Sequence, residues 1–126
     1  MNNDAIVGLP ADLTVTTHVC RGNYHSTWAT SGGYNPVAET LFGKENVSAY
    51  YLEYDTGRAG DFTPLAKVSD DKLVVLGLVS SKTGELEDKD QIITRIHKAT
   101  RYIPIERRRN MGIRYFPFSF PIYRPL

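Results

Sequence analysis

The sequence contains a single cysteine, Cys20, among its 126 residues, which excludes a fold built on disulfide bonds. It has no apolar run close to the roughly 20 residues of a membrane span. The first ten residues also lack the basic and apolar regions of a secretory signal. At 41% apolar and 23% charged residues, with a formal net charge of +1, the composition is that of an ordinary globular domain. These features predict a cytoplasmic protein that contacts no membrane.

The near-zero net charge conceals an uneven distribution. Residues 1–105 hold 10 Lys and Arg against 13 Asp and Glu, whereas residues 106–126 hold five Arg and one Glu. The final segment also carries five aromatic residues and three of the seven prolines. Such a basic, aromatic tail fits an arm that binds nucleic acid or an anionic surface. Its prolines obstruct sheet pairing, and this favours the alternative of a disordered extension.

Strand and helix patterns alternate along the remainder of the chain. β-branched and apolar runs predict strands over 13–19, 48–54 and 73–79. Helices are predicted over 36–43, near 64–68 and over 88–102, the first with Asn35 as N-cap and Pro36 in its first turn. This order predicts parallel βαβ units of an α/β fold, in which ligands bind at the carboxyl ends of the strands.

Three chemically versatile side chains follow these strands at their carboxyl ends. His18 and Cys20 lie two residues apart and therefore share one face of their strand. Imidazole and thiolate both suit zinc, although a His and a Cys that are simply packed would give the same pattern. Glu53 ends the next strand, where it would either pair with Arg58 or Arg21 or bind the same metal. A Cys–His hydrolase pair is less favoured, because no residue is placed to orient the base.

Three segments resemble the cobalamin-independent methionine synthase family, in its short single-barrel branch. They read THVCRGNYHSTWATSGGYNPVAETLFG (17–43), YYLEYDTGRAGDF (50–62) and VVLGLVSSKTGELEDKDQI (74–92), the last continuing through RIHKATRYIP (95–104). The resemblance implies a (β/α)8 TIM barrel, of which residues 1–106 would form roughly the last three βα units. It also implies one zinc ion held by His18, Cys20, Glu53 and a distant second cysteine.

The activity implied by this resemblance is a zinc-dependent methyl transfer in methionine biosynthesis. The metal would bind the thiol of homocysteine and lower its pKa, and the thiolate would accept the methyl group of a 5-methyltetrahydrofolate-type donor. Arg21, Asp55 and Arg58 lie in matching segments, so we expect them to orient the substrate or the ligands. On this interpretation the chain binds no nucleic acid.

The sequence departs from the family in length and in its tail. The family barrel is much longer, so we expect the isolated chain to be weakly active or inactive and to self-associate through exposed barrel edges. Residues 107–126 contain no cysteine that could complete the zinc site, and translation out of frame would explain them. Two alternatives remain. One is a non-catalytic fragment whose tail binds nucleic acid or anionic surfaces, and the other is a related zinc methyltransferase with another thiol or methyl donor.

Overall fold

A parallel β-sheet flanked by helices organises the chain in a computed structural model. The structure describes residues 2–22, 25, 27–80, 82–103, 105 and, for the backbone, 113–115. The strands are β1 (Thr16–Val19), β2 (Ala49–Glu53), β3 (Leu73–Gly77) and β4 (Ile113–Tyr115). The α-helices are α1 (Asn2–Ala5), α2 (Ala38–Lys44) and α3 (Lys89–Ala99). Short 3₁₀ helices span Asn35–Val37, Gly57–Ala59 and Thr63–Lys67. The predicted α/β class with parallel strands and flanking helices is confirmed.

The sheet runs in the order β1-β2-β3-β4, and every neighbouring pair is parallel. Each of the three predicted strands is present, but β1 begins at Thr16 rather than at residue 13. Leu13 instead closes a turn, its N–H donating to the carbonyl of Pro10 over 3.1 Å. The apolar run therefore overstates the length of the strand, because its first residues complete a turn.

The helix predicted over 36–43 also differs from its predicted form. Asn35 does not cap α2: residues Asn35–Val37 form a 3₁₀ helix with Pro36 in its first turn, and α2 continues from Ala38 to Lys44. The cap of α3 is clearer, since the Asp88 side chain accepts a hydrogen bond from the Gln91 N–H at 2.9 Å. The acidic start and basic end of that helix match its dipole.

Aromatic side chains dominate the core between the sheet and the helices. Tyr50 lies in β2 and Tyr54 directly follows it, and both side chains are fully buried. In the helical layer, the Tyr50 ring contacts Phe42 and the Tyr54 ring contacts Tyr34. The Phe42 and Tyr50 rings meet edge to face with centroids 5.2 Å apart, a favourable geometry for two quadrupoles. From β3, Val74 and Leu76 enter the same core.

The sheet register separates the two faces of the sheet. Val19, Leu52 and Leu76 are in register and belong to, or pack against, the core on the helical side. His18 pairs in register with Tyr51, so both lie on the opposite face. Continuing the register by one residue places Cys20 beside Glu53 on that same face.

Part of the tail is paired with the sheet. Ile113–Tyr115 form β4, parallel to β3, although the sequence shows no clean strand pattern there. The other residues of 107–126, including the arginine run at 107–109, lie outside the described residues. The anionic-surface and nucleic-acid interpretation of the tail therefore stays a prediction.

None of the helices in the described part of the chain combines the length and the hydropathy of a bilayer span.

Truncation of the aromatic core should destabilise the chain strongly. Phe42 is completely buried, so we expect Phe42→Ala to lower the free energy of unfolding by about 3–5 kcal/mol. Leu86 is 97% exposed, and Leu86→Ala should change it by less than about 0.5 kcal/mol. Urea denaturation followed by far-UV circular dichroism measures both values. Equal losses in the two variants would contradict the packing described above.

Candidate functional site

The candidate site lies where the chain leaves β1, β2 and β3 at their carboxyl ends. A turn follows β1, in which Arg21 has the left-handed φ of 55° and Gly22 a φ of 80°. The Arg21 carbonyl accepts hydrogen bonds from the N–H groups of Ala29 and Thr30, at 3.1 and 3.2 Å. A Cβ atom at Gly22 would lie 3.0 Å from the Ala29 Cβ. The turn therefore needs glycine for both its conformation and its close approach, and it fixes the backbone just after Cys20.

Arg21 connects this turn to β2. Its Nη1 donates to the Glu53 carbonyl at 3.0 Å and to the Tyr34 hydroxyl at 3.2 Å, and its Nε donates to the Gly32 carbonyl at 2.7 Å. The guanidinium also lies 4.2 Å from the centre of the Tyr34 ring. Burial raises the pKa of Tyr34 to about 12, so its hydroxyl stays protonated and donates to the Glu53 carbonyl at 3.0 Å. Arg21 thus holds the loop against the end of β2 through backbone groups.

A charge cluster of Glu53, Asp55, Arg58 and Lys82 lies beside that anchor. The Lys82 ammonium is 2.7 Å from Glu53 Oε2 and 3.0 Å from Asp55 Oδ2. Arg58 Nη2 pairs closely with Glu53 Oε1 and lies 3.6 Å from Asp55 Oδ1. Two carboxylates and two cations therefore alternate around the cluster, and their formal charges cancel.

Asp55 is the most enclosed member, with a side chain only 1% exposed. Burial alone would raise the pKa of its carboxyl. Hydrogen bonding and charge from Lys82, assisted by the Ser80 hydroxyl at 3.1 Å and by Arg58, outweigh burial and hold the pKa below its usual value. Asp55 is therefore an anion whose charge is stabilised within the protein.

Residues from α3 and from the segment between β3 and α3 support the charge cluster. Ser80 N–H donates to Glu87 Oε1 at 2.5 Å, and the Lys82 N–H donates to Ser80 Oγ at 3.2 Å, so the loop after β3 folds back toward Asp55. Arg95 of α3 donates to the carbonyl of Asp55 at 3.1 Å and also to that of Tyr54. Partial burial lowers the pKa of Arg95. Helix α3 thereby fixes the backbone that carries Asp55.

The loop between β1 and α2 covers the charge cluster from another side. The Arg58 guanidinium lies 4.7 Å from the centre of the Trp28 ring, in the geometry of a cation–π contact. Its Nη1 also donates to the Thr30 carbonyl at 3.4 Å. Arg58 is consequently held by both the loop and the two carboxylates.

Hydrogen bonding around the charge cluster is incomplete. Within the described part of the chain, five buried side-chain atoms lack a hydrogen-bond partner, and four of them belong to residues 54–58. These four are Tyr54 Oη, Asp55 Oδ1, Thr56 Oγ1 and Arg58 Nε. A buried polar group without a protein partner is costly and calls for an explanation, such as a catalytic role or a bound water or ion. Among the described residues, the segment after β2 is therefore a candidate functional region.

The structure brings the three expected zinc ligands to one edge of the sheet without assembling a metal centre. Cys20 is a free, half-buried thiol and His18 is exposed on the same face. Both carboxylate oxygens of Glu53 are engaged by Arg58 and Lys82. Among the residues described, no group of three or more His, Cys, Asp or Glu side chains could hold a metal ion. This arrangement does not fit a zinc ion.

Three further residues were expected to orient the ligands or the substrate. Asp55 and Arg58 belong to the charge cluster, and Arg58 is the ion-pair partner considered for Glu53. Arg21 also contacts Glu53, but it does so through the backbone carbonyl of that residue and not through its carboxylate.

Sequence reasoning did not identify Lys82, Arg95 or Trp28 as site residues. The only sequence signal for Lys82 is a lysine soon after a buried strand, a position that faces the same sheet edge as Glu53.

The depressed pKa of Asp55 predicts a specific acid sensitivity. Because ionised Asp55 is favoured in the folded state, its contribution to stability is complete above the usual Asp pKa of 3.8 and is lost as the pH falls through the lower folded value. Between about pH 6 and about pH 3, Asp55→Asn should therefore flatten the pH dependence of the unfolding free energy, whatever its stability at neutral pH. The exposed Asp12 provides the control variant Asp12→Asn. Urea titrations across this range measure the slopes, and unchanged slopes for Asp55→Asn would be inconsistent with the assigned ion pairs.

The chain is similar to two uncharacterized proteins of Bacillus subtilis (strain 168), YxjG and YxjH. Over 105 residues it is 51% identical to YxjG and 49% identical to YxjH, which is 82% of this chain in each case. The matched segment spans 28% of the length of each relative. No family model matches the chain, and no solved structure matches it significantly.

Proposed function

We propose that this chain is part of a methyltransferase of the cobalamin-independent methionine synthase type. The complete protein would transfer the methyl group of a 5-methyltetrahydrofolate-type donor to homocysteine and form methionine. The observation that carries the proposal is the register of β1 and β2. It puts His18, Cys20 and Glu53 on one sheet face at the carboxyl ends of neighbouring parallel strands, where α/β enzymes bind their ligands.

The proposal includes a barrel of which this chain supplies a portion. The strands follow one another in sequence order around the sheet and are all parallel. A (β/α)8 barrel has this sequential order, whereas an open doubly wound sheet reverses its strand order at a switch point. The polar face of the sheet, with His18 and Tyr51, would then line the barrel interior.

The length of the relatives supports the proposal that the rest of the barrel, with the methyl-donor site, would lie outside this chain. Because the matched segment is 28% of YxjG and of YxjH, most of a barrel of that size is contributed by other residues. The donor site would lie there, and the outer edge of β1, which has no strand neighbour among those described, would be paired there. The chain alone is accordingly proposed to be weakly active or inactive and prone to self-association.

The charge cluster suits the recognition of an amino acid substrate. Homocysteine carries an ammonium and a carboxylate, and the charge cluster offers groups of both signs within a few ångströms. Arg58 could pair with the substrate carboxylate, and Asp55 with its ammonium. These two residues would orient the substrate, while Arg21 positions the end of β2. Zinc is the cofactor that the resemblance implies for the complete protein, with His18, Cys20 and Glu53 as ligands, although the Glu53 carboxylate pairs with Arg58 and Lys82 in this structure.

A chimera tests the proposed activity. In it, YxjG would supply the residues before and after the segment that matches this chain. Methyl transfer from 5-methyltetrahydrofolate to homocysteine, together with bound zinc, should be found in the chimera and be weak or lacking in the isolated chain. Removal of an outer-shell partner of a metal typically costs roughly 10- to 100-fold in affinity or activity. Loss of a ligand itself should cost at least as much, so Cys20→Ser and His18→Gln should each reduce the rate by about 100-fold or more.

The matched control is His97→Gln, which changes an exposed histidine of α3 away from the sheet edge. It should leave the rate within about twofold of the parent chimera. A chimera that binds zinc and methylates a different thiol, or uses a different donor, would favour the related-methyltransferase alternative. A folded chimera with neither zinc nor methyl transfer would refute the proposed function.

A further inference from the structure

We propose that the groove between α1 and α2 binds a small ligand that carries an ammonium group on an apolar chain, with the Glu45 carboxylate as the partner of the ammonium. The residues lining this α1–α2 groove include Asn2 and Asn3 of α1, the apolar Pro36, Val37 and Leu41, and Glu45. Glu45 precedes β2 at its amino end, whereas the charge cluster lies at the carboxyl ends of the strands. The inference is therefore independent of the proposed function.

Glu45 is a buried acid with one oxygen that lacks a partner. The residue is only 6% exposed. Its Oε1 accepts a hydrogen bond from Asn2 Nδ2 at 2.6 Å, whereas its Oε2 is buried and has no hydrogen-bond partner. Leaving a carboxylate oxygen in this state costs free energy, which a ligand recovers when it donates to that oxygen. Glu45 thus gives the α1–α2 groove an acceptor for a cationic donor.

The neighbouring groups favour a cation over an anion beside Glu45. Burial raises the pKa of Tyr50 to about 12, and the negative charges of Glu45 and Asp71 add to the rise. Tyr50 therefore stays neutral, and its hydroxyl donates to the Leu41 carbonyl at 2.6 Å rather than to Glu45. Lys44 also lines the groove but is exposed at the end of α2. It is placed to pair with a carboxylate on the solvent side of a ligand that has one.

The apolar wall of the α1–α2 groove suits the chain of such a ligand. Val37 is 48% exposed although its side chain is apolar, and Leu41, one helical turn further on, is only partly buried. A ligand chain that covers these side chains removes apolar surface from water. The groove has a volume of about 560 Å³, which is within the range of small-molecule sites.

The asparagines of α1 form the opposite wall and allow access to Glu45. Asn3 Nδ2 donates to the Lys44 carbonyl at 2.7 Å, and Asn3 Oδ1 accepts from the Asn46 N–H at 2.7 Å. These two bonds hold α1 across the end of α2. Asn2 is exposed, so rotation of its side chain opens the Glu45 carboxylate to the groove while Asn3 keeps α1 in place.

Titration of the unaltered full chain with three matched probes, followed by amide-detected NMR, tests the inference. Isoamylamine has an ammonium on a branched apolar chain, L-leucine adds a carboxylate, and isocaproate has the carboxylate without the ammonium. Isoamylamine should bind with a Kd of about 1 mM or below and shift the side-chain amide signals of Asn2 and Asn3. Isocaproate should bind at least about tenfold more weakly. Leucine binding as tight as that of isoamylamine would assign the groove to amino acids, and weaker leucine binding would assign it to simple amines.

A charge-removing variant tests the role of Glu45 directly. Glu45→Gln keeps the shape of the side chain and should weaken isoamylamine binding by about tenfold or more, because a charge-assisted hydrogen bond is lost. Glu39→Gln is the matched control, since Glu39 is an exposed carboxylate of α2 that pairs with Lys67 at 3.2 Å. It should leave the affinity unchanged. Far-UV circular dichroism checks that both variants are folded.

Three results would overturn the inference. They are equal binding of isoamylamine and isocaproate, no binding of any probe at ten times the expected Kd, and signal shifts confined to the charge cluster around Asp55. The probe comparison uses the unaltered chain, so it decides the question even where Glu45→Gln fails to fold. None of these results bears on zinc binding or methyl transfer by the chimera, which are measured separately.

Discussion

The buried carboxylate of Asp55 constrains the whole carboxyl edge of the sheet. An ionised group this deeply enclosed costs several kcal/mol unless charges and hydrogen bonds compensate it. Compensation comes from separate parts of the chain: Lys82 from the segment after β3, Arg58 from the 3₁₀ helix after β2, and the Ser80 hydroxyl. These elements converge at one place because the parallel strands end at one edge. The charge cluster is thus a consequence of topology as well as of sequence.

The same compensation determines what the edge can bind. Glu53 shares both of its cations with Asp55, so the pairs that make Asp55 tolerable also occupy the carboxylate that the family resemblance assigns to zinc. In this structure, therefore, the Glu53 carboxylate is fully engaged in the ion pairs that enclose Asp55.

A feature can be predicted from the sequence when the residues that form it lie close together along the chain. The strands at 48–54 and 73–79 were identified because buried apolar runs are local patterns, as was the helix predicted over 88–102, which the structure forms at Lys89–Ala99. The pairing of Glu53 with Arg58, five residues apart, was one of three predicted alternatives, beside pairing with Arg21 and metal binding. Lys82 lies 29 residues from Glu53, and no local pattern marks it. Its role depends on the register of β2 with β3 and on the path of the loop, which only the folded chain defines.

The two faces of the sheet divide stability from chemistry. On the helical side, Tyr50, Tyr54 and Phe42 form an aromatic core with no charged member. The other face and its carboxyl edge carry His18, Cys20 and the charge cluster. Because side chains alternate between faces, one strand serves both tasks with neighbouring residues: Leu52 packs in the core while Glu53 belongs to the site. Substitutions at the site can therefore change binding without emptying the core.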